Sequence, residues 1–281
     1  MKRTLRITIT LSVGLLIISL WGFYFAIRPF KITSPITPRH YHTAYENISF
    51  KTKDNVLIRG WFIKNKQANA KTIILLHGYP ADKGDLLRST FFLHQYYHLL
   101  YFDFRHLGES DGSYSTIGHN EILDLQAAIQ YLQNRGIKDV GVWGFSLGGA
   151  VALMTAPTTP EIKAIVAEYS YARLDWMVDD YYQIPYLKRI LGELSRFWAW
   201  LFLSIDIKSN SPALSAAQLK IPVLLIHSKT DRLVTFKHGL LFQQSLRHLE
   251  NINSIILDEA QHGEHFTSLN QDIIDFFKRS L

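Results

Sequence analysis

Read for polarity alone, the chain changes character at about residue 40. Before it, residues 7–27 hold no charge and are rich in Leu, Ile, Val and Phe. As a helix this stretch would measure about 30 Å, one hydrocarbon core. Beyond it, alternation over 45–51 and 56–63 around Asp54-Asn55 predicts an antiparallel hairpin. Short, nearly continuous apolar runs then recur at 72–76, 99–104, 140–143, 164–167, 223–226 and 254–257. Turn residues bound each run, as expected of strands buried on both faces of a parallel sheet. Helical spacing separates them: Ile122, Leu125, Ile129 and Leu132 mark a helix over 121–135, and 236–248 and 269–278 carry two more. The alternation predicts an α/β class with a doubly wound, mostly parallel sheet and ligands at the carboxyl ends of its strands.

Composition narrows the picture. A chain of 281 residues with 47% hydrophobic content suits one large α/β domain. The absence of cysteine removes disulfides, thiolate zinc sites and a cysteine nucleophile. The net charge of +6 suggests nucleic acid until it is located. Lys2, Arg3, Arg6, Arg28, Lys31 and Arg39 precede the first acid, Glu46, which leaves 24 cations against 24 acids in the rest. The basic excess therefore flanks the apolar segment, which points to anionic lipid headgroups and away from DNA or RNA.

That segment reads as an uncleaved membrane anchor over residues 1–28. A signal peptide would have a shorter apolar region ending in small residues, whereas this one ends in Trp21, Phe23, Tyr24 and Phe25 before Arg28-Pro29. Residues 29–40, with Pro29, Pro35 and Pro38, read as an extended linker. A single-pass protein with the body, 41–281, outside the cytoplasm is the expectation. It follows from the short leading segment, since three cations on each side of the span balance.

The chemistry centres on Gly144-Phe145-Ser146-Leu147-Gly148, which ends an apolar run and opens a small-residue helix start. This G-x-S-x-G reads as a nucleophile elbow with Ser146 at the tip of a strand-to-helix turn and the helix N-terminus beside it. At 75–80 a strand ends in His77-Gly78-Tyr79-Pro80, so the Tyr79 amide and that of Leu147 are the candidate oxyanion donors. Asp231 lies just past the late strand at 223–226, where a histidine-orienting acid belongs, with Glu168 as its competitor. After the last strand, His262 is the candidate base and His265 the fallback. The His-x-x-His spacing lacks a third ligand, so neither a metal nor a cofactor is expected.

The order Ser146, Asp231, His262, with the elbow and the His-Gly turn, resembles the α/β-hydrolase superfamily over about residues 41–281. Within it, the chain is similar to membrane-anchored serine hydrolases grouped with dipeptidyl-aminopeptidase/acylaminoacyl-peptidase-like hydrolases. Residues 102–105 and 108–112 also fit that group, although His106-Leu107 departs from its commoner Asp-x-Arg-Gly-x-Gly and Ser228 stands where glycine is frequent. The resemblance implies the α/β-hydrolase fold and acyl transfer through Ser146, His262 and Asp231. It also implies a helical cap at about 171–213. Packing of the cap's own aromatics onto the sheet accounts for most of Trp176, Tyr181, Tyr182, Tyr186, Phe197, Trp198, Trp200 and Phe202, with some apolar surface left to face substrate. The expected activity is hydrolysis of small-molecule or lipid-derived esters or thioesters with apolar acyl chains. An aminopeptidase-like serine peptidase is the alternative, and a catalytically silent membrane-tethered binding protein is the reading from a different class.

Overall fold

A computed structural model describes residues 2–182, 184–209, 211–250 and 252–281. The chain divides into two compact units, one of Met1–Pro29 with Arg173–Ser211 and one of Phe30–Ala172 with Pro212–Leu281.

The second unit is built around one eight-stranded sheet. Its strands are β1 Glu46–Lys51, β2 Leu57–Ile63, β3 Thr72–Leu76, β4 His98–Phe102, β5 Val140–Phe145, β6 Ile162–Glu168, β7 Val223–Ser228 and β8 Ile252–Leu257. They form one sheet in the order β1-β2-β4-β3-β5-β6-β7-β8. The hairpin strands β1 and β2 pair antiparallel, β2 pairs antiparallel with β4, and the remaining neighbours are parallel. Each short apolar run between 72 and 257 is a strand, with ends displaced by a residue or two.

Burial explains the pattern. All of β3, β4 and β7 is buried, whereas the edge strand β1 alternates and β8 is only half-covered. Ile73, Leu75, Tyr101, Val166 and Phe277 are among the side chains closed into the core, each contributing about 2 kcal/mol. Chain order reverses at β3, with β4 on one side and β5 on the other. The crevice beyond the carboxyl ends of β3 and β5 is thus the switch point where such sheets bind ligands.

Helices α2 Leu87–Thr90, α3 Glu121–Gln133, α4 Leu147–Thr155, α7 Pro212–Ala216, α8 Lys237–Leu246 and α9 Asn270–Ser280 complete this unit (α5 and α6 belong to the other). Periodicity marks α3, α8 and α9 in the sequence and misses α4. Every residue of α4 is buried, so it shows no polar face.

The other unit is helical: α1 Lys2–Ile27, α5 Leu174–Tyr181 and α6 Lys188–Leu203. Ser19 and Phe23 of α1 are buried. Trp198 Nε1–H of α6 donates to Ser19 Oγ at 3.0 Å, and Phe202 stacks on Phe23. α6 also buries Leu191, Gly192, Ser195 and Ala199. The aromatics of this segment are not packed away as expected. Tyr181, Tyr186, Phe197, Trp200 and Phe202 are exposed, Trp200 by 61%, and Trp176, Tyr182 and Trp198 are half-covered.

Candidate active site

Strand β5 delivers Ser146 and α4 begins at the next residue. Two glycines permit this. A Cβ on Gly144 would strike the backbone of Gly148 and Gly149, and one on Gly148 would strike the Leu76 carbonyl. Strand, helix and β3 therefore meet only if both positions lack side chains. Ser146 itself sits at φ 51°, ψ −110°, a sparsely populated conformation for a residue with a Cβ. Its N–H is spent on the Glu168 carbonyl of β6 at 2.8 Å, which pins the turn.

Three loops from different strands converge on that serine. His262, past β8, has Nε2 3.0 Å from Ser146 Oγ. Its Nδ1 lies 2.8 Å from Asp231 Oδ2, past β7. With Nδ1–H donating to the carboxylate, Nε2 is left to accept the serine proton. The other Asp231 oxygen accepts the N–H groups of Leu233 and Val234 at 2.8 and 2.9 Å, so the carboxylate cannot rotate freely. Phe145 and Tyr169 present their rings to His262 at centroid distances of 5.7 and 5.8 Å. The Tyr169 hydroxyl donates to the Glu264 carbonyl at 2.8 Å and so ties down the loop that carries the imidazole.

The third loop follows β3. His77 is fully buried, and burial lowers its pKa. Its Nδ1–H donates to the Gly78 carbonyl at 2.7 Å, while Nε2 accepts the Phe104 N–H at 2.9 Å. A planar trans peptide points its N–H opposite its carbonyl. Holding Gly78 O on His77 therefore fixes the direction of the Tyr79 amide. Gly78 itself lies against Ser146: a Cβ there would come within 3.4 Å of the serine Cβ. The Leu147 amide opens α4, where the first N–H groups have no partner within the helix.

The two runners-up of the sequence meet each other. Glu168 Oε1 lies 3.0 Å from His265 Nδ1, and Glu168 Oε2 accepts Trp143 Nε1–H at 3.0 Å. His265 Nε2 faces Asn270 Oδ1 at 2.9 Å. Burial alone would pull His265 down, but the hydrogen bond to Glu168 and its charge outweigh that and raise it above its ordinary value. Among the described residues no cluster of three or more metal-ligating side chains occurs.

Two features escaped the sequence reading. Ser228, noted there only as a departure, accepts the Thr230 N–H and the Ala260 N–H, both at 3.1 Å. It thereby couples the loop bearing Asp231 to the loop bearing His262. Lys83, fully buried, pairs with Asp103 and with Glu109 at 2.6 Å each and lies 4.6 Å over Trp61. Asp103 also accepts the N–H groups of Lys83 and Glu109, both at 2.8 Å. Arg105 bridges Asp54 and Asp124. These ions brace the loop after β4 and do not contact Ser146, Asp231 or His262.

Comparison with known proteins agrees with this architecture. The solved esterase Pf2001 of Pyrococcus furiosus superposes with a TM-score of 0.75 at 28% identity, over 90% of this chain and 99% of that one. Protein bem46 of Schizosaccharomyces pombe is 26% identical over 206 residues, 70% of this chain and 64% of its own length. The lysophosphatidylserine lipase ABHD12 of Danio rerio is 26% identical over 189 residues, 64% of this chain and 48% of its length. The chain thus spans less than two thirds of either curated relative. The sequence pattern of the prolyl oligopeptidase family matches residues 110–281, more than half of the chain, from the loop after β4 through the last helix. The chain belongs to the prolyl oligopeptidase family, within the α/β-hydrolase superfamily.

Proposed function

We propose that the protein is a membrane-anchored serine hydrolase that cleaves carboxylic ester or thioester bonds of apolar, lipid-derived acyl substrates. The observation that carries the reading is the unbroken hydrogen-bonded chain from Ser146 Oγ through His262 to Asp231, with steps of 3.0 and 2.8 Å. His262 takes the serine proton as Oγ attacks the acyl carbonyl. The Tyr79 and Leu147 amides receive the oxyanion, and His262 returns the proton to the departing alcohol or thiol. Water, activated by the same imidazole, releases the acyl group. Asp231 holds the reactive tautomer and stabilises the imidazolium that forms.

The substrate class is supported by the likeness to an esterase of known structure and to a lysophosphatidylserine lipase. The anchor is supported by α1, 26 residues long and apolar enough to cross a membrane; the body outside the cytoplasm completes the reading. A serine peptidase is the second reading, favoured by the family match over residues 110–281.

The test is hydrolysis of para-nitrophenyl esters from acetate to palmitate by the full chain in detergent, beside Ser146→Ala. Turnover that rises with acyl length and is lost by roughly 10⁵–10⁶-fold in the variant is the expected result. Activity confined to amino-acid para-nitroanilides would replace the ester reading with the peptidase. A serine-directed fluorophosphonate that labels neither would point to a silent binding protein.

A further inference from the structure

The helical unit holds two long helices side by side, and their register has a consequence for where the second one lies. Ser19 of α1 bonds Trp198 of α6, and one turn further along both helices Phe23 stacks on Phe202. The two helices therefore run in the same direction over this stretch. Ser19 stands eight residues before the end of α1 at Ile27, which is about 12 Å along the helix axis. A span of α1 across a hydrocarbon core of about 30 Å puts Ser19 well inside it. Trp198 goes with it.

The surface of α6 agrees with that depth. Ile190, Leu194, Phe197 and Leu201 recur at i, i+4, i+7 and i+11 and so share one face. Ile190, Phe197 and Leu201 on that face are exposed by 47%, 45% and 48%. Water is a poor medium for such a strip. The covered polar groups of the helix find partners inside the same unit, as groups at membrane depth must. Trp198 Nε1–H has Ser19, and Ser195 Oγ lies 2.8 Å from the Tyr182 hydroxyl. Arg196 pairs with Asp179 at 2.7 Å and Glu193 at 2.8 Å.

We infer that α6, Lys188 to Leu203, is a second membrane-embedded element whose Ile190/Phe197/Leu201 face is covered by the acyl chains of the bilayer that α1 crosses. The inference rests on the reading of α1 as a membrane span. The protein would then hold its membrane by two helices from distant parts of the sequence, joined at Ser19–Trp198.

The absence of cysteine from the chain permits a direct test by single-site spin labelling. Leu201→Cys, Leu11→Cys on α1 and Lys66→Cys on the larger unit are each labelled with a nitroxide. The full chain is then reconstituted in phosphatidylcholine vesicles. Collision rates with oxygen, which concentrates in hydrocarbon, are compared with those of a water-soluble nickel chelate. The expected result is oxygen-dominated relaxation at Leu201 and Leu11 and nickel-dominated relaxation at Lys66. Oxygen dominance at Leu11 with nickel dominance at Leu201 would overturn the inference and spare the anchor. Nickel dominance at Leu11 would remove the anchor, and the inference with it. Phe197→Cys repeats the measurement on the same face should Leu201→Cys fail to fold.

Discussion

Two histidine–carboxylate pairs hang from the same loop, three residues apart, and only one of them reaches the serine. His262 and His265 both direct Nδ1 at a buried carboxylate, Asp231 in one case and Glu168 in the other. The difference lies at the far nitrogen. His262 Nε2 faces the Ser146 hydroxyl, which can give a proton, whereas His265 Nε2 faces the Asn270 amide oxygen, which can only accept one. The first arrangement lets Nε2 offer a lone pair to the hydroxyl proton, and the second gives both N–H groups of an imidazolium an acceptor. What stands opposite thus decides whether a histidine beside a carboxylate can take a proton from its neighbour or is drawn toward its protonated form. In this loop His265, tied to Glu168 and Asn270, anchors the segment from which His262 projects.

The sharpest break of that comparison is Asp231→Asn. The amide leaves the geometry in place but presents an N–H to His262, which turns the lone pair to Nδ1. Ester turnover should fall by roughly 10⁴-fold in kcat with little change in thermal stability. A loss below about tenfold would show that Asp231 does not set the tautomer.

How much of this was legible beforehand depends on the kind of signal. The sheet was readable because β3, β4 and β7 are buried on both faces and stand out as apolar runs. The elbow was readable because close packing of Gly144 against Gly148 admits no other residue type. The Asp231 and His262 positions could be chosen because each follows directly on a strand. The pairing of Glu168 with His265 could not be read, since it joins the end of β6 to a loop 97 residues away and nothing in the sequence names either as the other's partner. Nor could the bond between Ser19 and Trp198, 179 residues apart, because an apolar helix face does not name the partner that covers it.

A third histidine sharpens the contrast. His227 on β7 has both ring nitrogens buried and without hydrogen-bond partners among the described residues. Burial, with His238 and His262 nearby, pushes it down to about 3 despite the pull of Asp231. Its folded pKa lies below the ordinary value of 6.5, so its neutral form contributes stability above pH 6.5 that is lost as pH falls toward 3. Denaturation in urea should show roughly 3 kcal/mol of stability lost by pH 4 through this group. His227→Leu should keep most of it. Equal acid sensitivity in the two proteins would assign the loss elsewhere.

Glu168→Gln tests the His265 pair from the other side. The folded pKa of His265 is raised, so its contribution is fully present below 6.5 and lost as pH rises through the raised value. With the carboxylate gone the contribution should vanish at all pH, lowering stability at pH 6 by roughly 1–3 kcal/mol and at pH 9 by less. Ester turnover should fall less than it does in Asp231→Asn. A deficit equal at pH 6 and pH 9 would mean that His265 is not charged in the folded protein.

The smallest effect expected is at the brace between the two loops. Ser228→Gly removes the acceptor that Thr230 N–H and Ala260 N–H share. Ala260 N–H keeps a second acceptor, Thr230 Oγ1 at 3.0 Å, so only one amide is orphaned. The single change should cost about 1 kcal/mol and a few-fold in kcat, with KM unmoved because the brace orients the base and does not touch substrate. Thr230→Val alone should cost as little, since Ser228 then serves Ala260. Together the two leave Ala260 N–H without an acceptor, and the double variant should exceed the sum of the singles by about 0.5–1 kcal/mol. Strict additivity would mean that the loops carrying Asp231 and His262 are held in register by something other than this pair of hydroxyls.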